Sequence, residues 1–236
     1  QKDVLLNLVT CALVIAGGIG FPVIFELPLK HFSWKRQSMH TRVVLSTTFA
    51  LLLFGTLLLK LTESISWLGA FFYSVSARTA GFSTYNLGDF STAGLLVVSG
   101  LMFIGASPAS TGGGIKTTTF FVLLSGIYSA ATNHSERAFH NAIPKDAFRK
   151  ASVISILAAF LVMTASYLML IFDPQLSLRD VLFEMISAFS TSGLSTGITP
   201  QLSAQSRILS IIMMYIGRLG PLTVASLWYF TIGERV

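Results

Sequence analysis

Two long apolar stretches constrain the fold of this chain more than any other feature. They are VVLSTTFALLLFGTLLLKL at residues 43–61 and ASVISILAAFLVMTASYLMLIF at residues 151–172. At a rise of about 1.5 Å per residue, helices of this length cross the hydrocarbon core of a bilayer, which is about 30 Å thick. Only 11% of the residues are charged, against about 25% in soluble domains. Because so little charge is available for a water-facing surface, we predict an all-α integral membrane protein.

The positive charge of the chain has an uneven distribution. The net charge is +6, and Lys and Arg gather in two polar connectors, residues 30–42 and 133–150. The connectors YNLGDFS and FDPQLS carry no positive charge. This asymmetry is the positive-inside pattern, which predicts that both basic connectors are cytoplasmic and that the protein crosses the membrane several times. The expected partner is therefore the lipid bilayer, and no nucleic acid.

A sequence repeat divides the chain. TAGFST (79–84) matches TSGLST (191–196) at an offset of 112 residues, and LMFIGASP (101–108) then falls on MMYIGRLG (213–220). A third, partial copy is VIAGGIG (14–20), which places Gly17 on Gly217 and Gly20 on Gly220. The repeat predicts one terminal helix at about 4–29 followed by two full units. We also expect that the chain starts partway through a longer protein.

Each full unit has the same predicted plan. We call residues 31–132 unit A and residues 133–236 unit B. In both, a long apolar span is followed by a short amphipathic segment, SWLGAFFYSVSA (66–77) or LRDVLFEMISAFS (178–190), which is too short to cross a bilayer. The small-residue strip comes next, and a second apolar helix returns to the cytoplasm. The plan is a helix, a half-helix, a non-helical strip and a helix.

The strips are predicted to form an ion filter. Non-helical backbone at membrane depth is tolerated only where it is buried in protein or lines a watery cavity. Glycine permits φ > 0, which lets consecutive carbonyl oxygens replace the hydration shell of a monovalent cation. The threonines could add hydroxyl oxygens. The predicted ion-binding residues are Thr79, Ala80, Gly81, Phe82, Thr191, Ser192, Gly193 and Leu194. The alternative, ordinary turns between helices, does not explain two matching strips that each follow a half-helix.

An enzyme is a weaker interpretation of the same residues. GLSTG (193–197) fits the G-x-S-x-G nucleophile elbow, but that motif needs an open sheet and a histidine partner. All four histidines lie in the basic connectors, on the opposite side of the membrane from Ser195 in the predicted topology. We therefore predict that the chain is not an enzyme, and a membrane-embedded enzyme remains the alternative from another class.

The motifs together resemble the Trk/Ktr/HKT superfamily of potassium transporters, and its bacterial Ktr membrane subunits in particular. The segments that carry the likeness are RTAGFST, GASPASTGGGIKTTTF, FEMISAFSTSGLSTG and IGRLGPLT. The resemblance implies four helix–pore–helix units with pseudo-fourfold symmetry around one pore. Residues 1–30 would be the last helix of the second unit, and units A and B would be the third and fourth. The first and second filter strips would then lie outside this chain.

The resemblance also implies a function and partners. The transported ion would be K⁺, held at filter backbone carbonyls, with no covalently bound cofactor. The protein would be a homodimer in the cell (inner) membrane, and it would dock on a cytoplasmic nucleotide-binding regulatory ring of the RCK type. A sodium-selective or sodium-coupled transporter of the same fold remains the alternative, because the first filter strip contributes to the choice of cation.

The segment GASPASTGGGIKTTT (105–119) interrupts an otherwise apolar stretch of unit A. Its glycines and proline prevent a continuous helix, and its hydroxyls can satisfy the freed backbone groups. The resemblance implies a flexible loop beneath the filter that obstructs the pore. A kink for packing is the alternative. The predicted gate comprises Gly105, Ser107, Pro108, Ser110, Thr111, Gly112, Gly113, Gly114, Lys116 and Arg218.

Arg218 belongs to the predicted gate because of its place in the repeat. It occupies the position of Gly18 in the first copy and Ala106 in the second, mid-way along an otherwise apolar stretch. An arginine at membrane depth is costly unless it faces water or a partner. It is predicted to be a fixed positive charge in the pore. The resemblance supports this, because members of the Trk/Ktr/HKT superfamily have an arginine at the corresponding position. The alternative is an ion pair with a buried carboxylate such as Glu184.

Overall fold

The structure, a computed structural model, describes residues 3–132, 137–139, 141–144 and 146–220. These ranges form α-helices joined by loops, three of which contain a single turn of 3-10 helix, and an antiparallel pair of two-residue strands, β1 (Arg137–Ala138) and β2 (Asn141–Ala142). The predicted all-α architecture is confirmed. The helices are α1 (Val4–Ile19), α2 (Phe21–Leu29), α3 (Met39–Thr62), α4 (Trp67–Ser76), α5 (Thr92–Phe103), α6 (Thr117–Thr132), α7 (Ala147–Phe172), α8 (Leu178–Ser190) and α9 (Ala204–Leu219).

Two helices in the described ranges, α3 and α7, are long and apolar enough to cross a membrane by length and composition. If α1 and α2 are treated as one span with a bend of 96° between them, they make a third. The sequence predicted one continuous helix at 4–29, and that prediction was wrong. The helix breaks at Gly20, whose φ of 93° is incompatible with helical backbone, and α2 then begins at Phe21 with Pro22 in its first turn.

The predicted half-helices are confirmed as α4 and α8. Each begins after a serine, Ser66 or Ser177, whose side chain accepts a hydrogen bond from a backbone N–H of the first turn. With ten and thirteen residues, they are too short to cross the bilayer. Most residues of both are buried, because α4 packs on α3 and α1 and α8 packs on α9, α7 and α5, and this packing fixes the position of the strip that follows each of them.

The repeat is also visible in a side-chain contact that joins the two long helices of each unit. Glu63 follows α3 and accepts hydrogen bonds from both the N–H and the hydroxyl of Ser91, the N-cap of α5 (2.9 and 2.6 Å). Asp173 follows α7 and accepts the same two bonds from Ser203, the N-cap of α9 (3.1 and 3.0 Å). An acid at the end of one helix thus fixes the start of the next.

The ends of α1 and α9 support the alignment of the repeat. α1 ends at Gly20 with a φ of 93°, and α9 ends at Gly220 with a φ of 91°. The sequence placed Arg218 mid-way along a helix, whereas it lies in the last turn of α9. The glycine that follows ends the helix, so the Arg218 charge is close to the negative end of the helix dipole. Residues 221–236, the rest of unit B, lie outside the described residues.

The two units share buried surface. α5 of unit A packs on α8 of unit B, and the rings of Phe103 and Phe189 lie 6.2 Å apart at their centroids. Ile115, from the segment that interrupts the second helix of unit A, belongs to the buried cluster of unit B. This packing brings the interrupted segment and the two strips to the same place in the molecule.

Candidate functional site

The two strips of the repeat contact each other at their glycines. Gly81 has a φ of 69° and Gly193 has a φ of 86°, so the predicted positive φ is confirmed at both. A Cβ atom on Gly81 would collide with the carbonyl oxygen of Ser192 and would lie 3.1 Å from the Cα of Gly193. Only glycine fits at position 81, because both the backbone angle and the neighbouring strip exclude a side chain.

The strips present backbone carbonyl groups that are free of protein donors. Among the described residues, no hydrogen bond reaches the carbonyl oxygens of residues 79–81 or 191–194. The carbonyl of Phe82 differs, since the hydroxyl of Ser76 donates to it at 2.5 Å. Free carbonyl oxygens beside the C-terminal end of a half-helix, which carries partial negative charge, are suited to a cation.

A buried tyrosine holds the chain after the strip of unit A. The Tyr73 hydroxyl donates to the carbonyl of Tyr85 at 2.6 Å, accepts from the Tyr85 N–H at 2.8 Å and lies 2.8 Å from the Ser83 hydroxyl. Tyr73 is fully buried. The sequence analysis missed this residue, although a tyrosine on the apolar face of a half-helix is a signal, because a buried hydroxyl needs a partner.

A carboxylate holds the corresponding chain of unit B. Glu184 on α8 accepts hydrogen bonds from the hydroxyls of Ser195 and Thr199, the latter at 2.9 Å. Ser195 is the repeat equivalent of Ser83. Both units therefore fix the chain after the strip with a polar side chain from the half-helix, but the chemistry of that side chain differs.

The break in the second helix of unit A is confirmed. α5 ends at Phe103, α6 begins at Thr117, and the residues between them turn back so that the N–H of Ile115 donates to the carbonyl of Phe103 at 3.1 Å. We call residues 104–116 the intervening loop. A Cβ atom on Gly105 would collide with the carbonyl of Gly113, so the glycines let the two arms of the loop approach closely.

The intervening loop lies against both threonines of the strips. The N–H of Gly113 donates to the Thr191 hydroxyl at 3.0 Å. A Cβ atom on Gly112 would collide with the methyl group of Thr79. Thr191 itself has left-handed backbone, with a φ of 53°, which is uncommon for a threonine. The loop therefore directly contacts the strip of each unit.

The other side of the loop contacts the bend between α1 and α2. The N–H of Ser107 donates to the carbonyl of Gly18 at 3.0 Å, and a Cβ atom on Gly20 would collide with the carbonyl of Pro108. The Ser110 hydroxyl donates to the carbonyl of Ser107 at 2.5 Å. Of the predicted gate residues, Ser107, Pro108 and Thr111 thus contact the α1–α2 bend, and Ser110 bonds within the loop.

Three cationic side chains donate to carbonyls of the loop. The Lys116 ammonium donates to Gly112 at 2.6 Å, and a guanidinium N–H of Arg218 donates to Thr111. Arg78, which precedes the strip of unit A, donates to Gly105 at 3.3 Å and is 5% exposed. Arg78 was not among the predicted site residues, although its place directly before the strip was visible in the sequence.

The contacts of Arg218 exclude one of the two interpretations of its charge. The ion pair with Glu184 is wrong, since the hydrogen bonds of Glu184 come from Ser195 and Thr199 and those of Arg218 go to Thr111. Within the described ranges, no group of three or more His, Cys, Asp or Glu side chains is arranged to hold a metal ion. Any cation at the strips would therefore meet backbone carbonyls and hydroxyls.

The sequence profile of the TrkH family, described as cation transport protein, matches residues 37–230. The chain is 36% identical to Ktr system potassium uptake protein B of Vibrio alginolyticus over 95% of this chain and 52% of that protein. It is 35% identical to Ktr system potassium uptake protein D of Bacillus subtilis (94% and 53%). It is 34% identical to Potassium/sodium uptake protein NtpJ of Enterococcus hirae (95% and 53%).

The fold is similar to a solved structure, the potassium transporter TrkH from Vibrio parahaemolyticus. The TM-score is 0.77 at 17% sequence identity, over 96% of this chain and 52% of that one. The chain thus spans about half the length of the relatives that it matches.

Proposed function

Because this chain belongs to the TrkH family of cation transport proteins, we propose that it forms part of a pathway for potassium uptake across the cell membrane. Its membership confirms the resemblance found in the sequence. The curated relatives are named as uptake proteins, which agrees with a membrane-embedded transporter and not with an enzyme.

The observation that carries the proposal is the pair of contacting strips with free carbonyl oxygens. Thr79–Phe82 and Thr191–Leu194 would each line one side of a filter, where carbonyls replace the hydration shell of K⁺. The carbonyl of Phe82 takes part less readily, because it already accepts a hydrogen bond from Ser76. Sodium remains the second candidate, since one relative is named as a potassium/sodium uptake protein.

The intervening loop would act as the gate. It contacts Thr191 of one strip and packs on Thr79 of the other, so an ion that passes the strips meets the loop next. Arg218 supports this role from the opposite unit, since it binds the loop at Thr111 and supplies a fixed positive charge. The gate would open when the loop leaves these contacts, and Lys116 would move with it.

The remaining parts of the proposal follow from the family. Residues 1–30 would be the last helix of the second pore unit, residues 31–132 the third unit and residues 133–236 the fourth. The connectors 30–42 and 133–150 would face the cytoplasm, and the latter is only partly within the described residues. The assembly would be a homodimer in the inner membrane with a nucleotide-binding RCK-type ring. The transported ion would be K⁺, and the protein would carry no covalently bound cofactor.

The test is a deletion of Gly112–Gly114 in the full-length transporter. A shorter loop cannot reach Thr191, so ⁸⁶Rb⁺ uptake into liposomes should rise while ²²Na⁺ uptake stays low. The matched control is Ser110→Gly, which keeps the length of the loop and removes a hydroxyl that faces Ser107. A folded deletion variant that takes up ⁸⁶Rb⁺ no faster than the control would show that the loop is a packing feature.

A further inference from the structure

Arg78 is a buried cation to which the proposed function gives no role. It directly precedes the strip of unit A and is 5% exposed. Residues of this chain therefore enclose it, and the remainder of a longer protein could reach little of its surface. An arginine at membrane depth is costly unless a partner compensates its charge. The surroundings of Arg78 within this chain must supply that compensation.

No carboxylate balances the charge of Arg78 within the described ranges. The ion pair found there joins Lys30 to Glu26, and the small cavity beside Arg78 is lined by apolar side chains, a glycine and two threonines. The guanidinium donates instead to a backbone carbonyl, that of Gly105, at 3.3 Å. The group that answers this buried charge is therefore the first residue pair of the intervening loop and not an acid.

Two helix ends supply negative partial charge to Arg78. α4 ends at Ser76, two residues before Arg78, and α5 ends at Phe103, two residues before the Gly105 carbonyl. The C-terminal end of a helix carries about half a negative charge. Arg78 thus bridges the ends of α4 and α5, and through them it joins the strip of unit A to the start of the intervening loop.

The two ends of the intervening loop are packed and paired with backbone. Ala106 is fully buried, and the N–H of Thr117 donates to its carbonyl at 3.3 Å. The N–H of Ile115 donates to the last residue of α5 at 3.1 Å. We call residues 104–107 and 115–116 the arms of the loop. Arg78 contacts the first arm, and the backbone bonds hold the second arm to it.

The tip of the loop, residues 108–114, is held mainly by side chains. The Lys116 ammonium and the exposed Arg218 guanidinium donate to carbonyls of the tip, and the Thr191 hydroxyl accepts from the N–H of Gly113. Long side chains can turn away through rotation about their own bonds. The contacts of the tip can therefore break while the arms keep their backbone hydrogen bonds.

We propose that Arg78 is a positioning residue for the gate, which ties the arms of the loop to the strip of unit A. Opening then displaces the tip and leaves the arms in place. This role rests on the proposed function of the loop. Because residue 78 adjoins Thr79, the same side chain also sets the separation between the strip and the loop beneath it.

Hydrogen exchange of the full-length protein, resolved to single amides by mass spectrometry, separates the arms from the tip without any variant. The N–H groups of Ser107, Ile115 and Thr117 should exchange at least about tenfold more slowly than those of Gly112 and Gly113, since opening of the tip leaves the arms paired. A common rate for arms and tip would show that the loop opens as one body, and would overturn the assignment.

Arg78→Gln removes the charge and shortens the side chain, so it should release the arms. Exchange at Ile115 and Thr117 should rise about tenfold, as for the loss of one hydrogen bond from a charged donor. Uptake of ⁸⁶Rb⁺ without regulatory subunits should rise by a similar factor. Arg78→Lys keeps a charge between the two helix ends and should restore most of the protection, a rescue that a requirement for the shape of arginine would not give.

The matched control is Arg179→Gln. Arg179 on α8 also donates to a backbone carbonyl of the other unit, that of Phe90 at 2.6 Å. Phe90 lies before the start of α5, at the opposite end of this helix from the loop. The control should lower the unfolding temperature and leave both the exchange of the arms and the uptake of ⁸⁶Rb⁺ unchanged.

Two further outcomes would overturn the positioning role. They are unchanged exchange of the arms in folded Arg78→Gln, and equal losses in Arg78→Gln and Arg78→Lys. If Arg78→Gln does not fold, Arg78→Lys and the comparison of arms with tip in the unmodified protein still decide. Exchange is measured without transport, whereas the loop deletion tests the gate by uptake. The positioning role and the gate can therefore fail separately.

Discussion

Units A and B use their second helices in different ways, although both helices begin at the same place in the repeat. α5 begins after Ser91 and ends at Phe103, whereas α9 begins after Ser203 and continues to Leu219, one turn further in the repeat. The position next to the shared glycine is a buried Ala106 in unit A and an exposed Arg218 in unit B.

These differences are complementary. In unit A the second helix ends early, which leaves carbonyl groups exposed in the intervening loop. In unit B the guanidinium of Arg218 donates a hydrogen bond to one of those carbonyls. The comparison teaches that the two copies of one scaffold differ at facing positions. One copy differs in its backbone, and the other differs in the charge of a single side chain.

The largest expected effect follows from removing that charge. A cation that passes about 5 Å from Arg218 at an effective ε of about 20 is repelled by roughly 3 kcal/mol. That is on the order of a hundredfold in rate if the passage limits transport. Arg218→Gln should therefore increase ⁸⁶Rb⁺ uptake in the absence of regulatory subunits, because it removes the charge and keeps a donor for Thr111.

Arg218→Lys is the control, since it keeps the charge and loses the planar guanidinium. It should stay near the uptake of the unmodified protein. If both variants conduct alike and unfold at lower temperature, Arg218 holds the fold and does not repel ions. A stable Arg218→Gln protein with unaltered uptake would show that neither role applies.

The glycines of the two strips, Gly81 and Gly193, should differ in their tolerance of a side chain. Gly81→Ala meets both a φ of 69° and a collision with the backbone of Ser192, whereas Gly193→Ala meets a φ of 86° with its nearest neighbour, Gly81, at 3.8 Å. The backbone angle costs about 1–2 kcal/mol in either variant, and the collision adds about 1–3 kcal/mol in the first.

We therefore expect Gly81→Ala to lower the unfolding temperature and the ⁸⁶Rb⁺/²²Na⁺ uptake ratio more than Gly193→Ala does. The measurement is thermal unfolding of the purified protein together with uptake of both ions into liposomes. Equal losses in the two variants would mean that the strips do not touch as described, since the backbone angle alone affects both.

Features with a local cause could be predicted from the sequence. The apolar spans and the half-helices follow from length and pattern, and the positive φ at Gly81 and Gly193 follows from the only residue that adopts it freely. The break before Gly105 was predictable because glycine and proline exclude a helix over a short stretch. Each of these predictions uses neighbouring residues alone.

Features that depend on distant residues could not be predicted. The partner of Arg218 is a backbone carbonyl 107 positions away, and no sequence pattern identifies a carbonyl as an acceptor. The bend at Gly20 is an exception, because Gly20 and Pro22 gave a local signal that was missed within an apolar stretch of the length of one span. Tyr73 was missed because its backbone partner, Tyr85, lies in irregular chain after the strip, and the sequence does not predict the path of that chain.

The two polar side chains that hold the chain after each strip, Tyr73 and Glu184, should contribute less to stability than the glycines do. Tyr73→Phe removes a hydroxyl that serves both the N–H and the carbonyl of Tyr85, so it should cost about 1–2 kcal/mol. Glu184→Gln keeps an oxygen that can accept from Ser195 and Thr199, so its cost should be about 1 kcal/mol or less.

Denaturant or thermal unfolding of both variants measures their relative stability, and we expect Tyr73→Phe to be the less stable. Ser83→Ala is a control for Tyr73→Phe, because it removes one partner of the hydroxyl and leaves Tyr85 bound. If Glu184→Gln is the less stable of the two, the carboxylate charge itself stabilises unit B, and Tyr73 and Glu184 do not have equivalent roles in the repeat.

The smallest expected effect concerns the acids that join the long helices of each unit. Hydrogen bonds from the Ser206 side chain, together with the N–H and side chain of Ser203, hold the pKa of the Asp173 carboxyl below its usual range. A carboxyl with a lowered pKa stabilises the folded state above the usual aspartate pKa of about 3.9, and the contribution is lost as the pH falls through the folded value. Asp173→Asn should therefore cost about 1 kcal/mol at pH 7, and the difference from the unmodified protein should shrink as the pH falls below about 3.9. Glu63→Gln is the matched change in unit A, where Glu63 binds Ser91 in the same way. Unfolding of the three proteins from pH 7 downward makes the comparison, and a loss for Asp173→Asn that does not shrink as the carboxyl becomes protonated would mean that packing, and not the charge, joins α7 to α9.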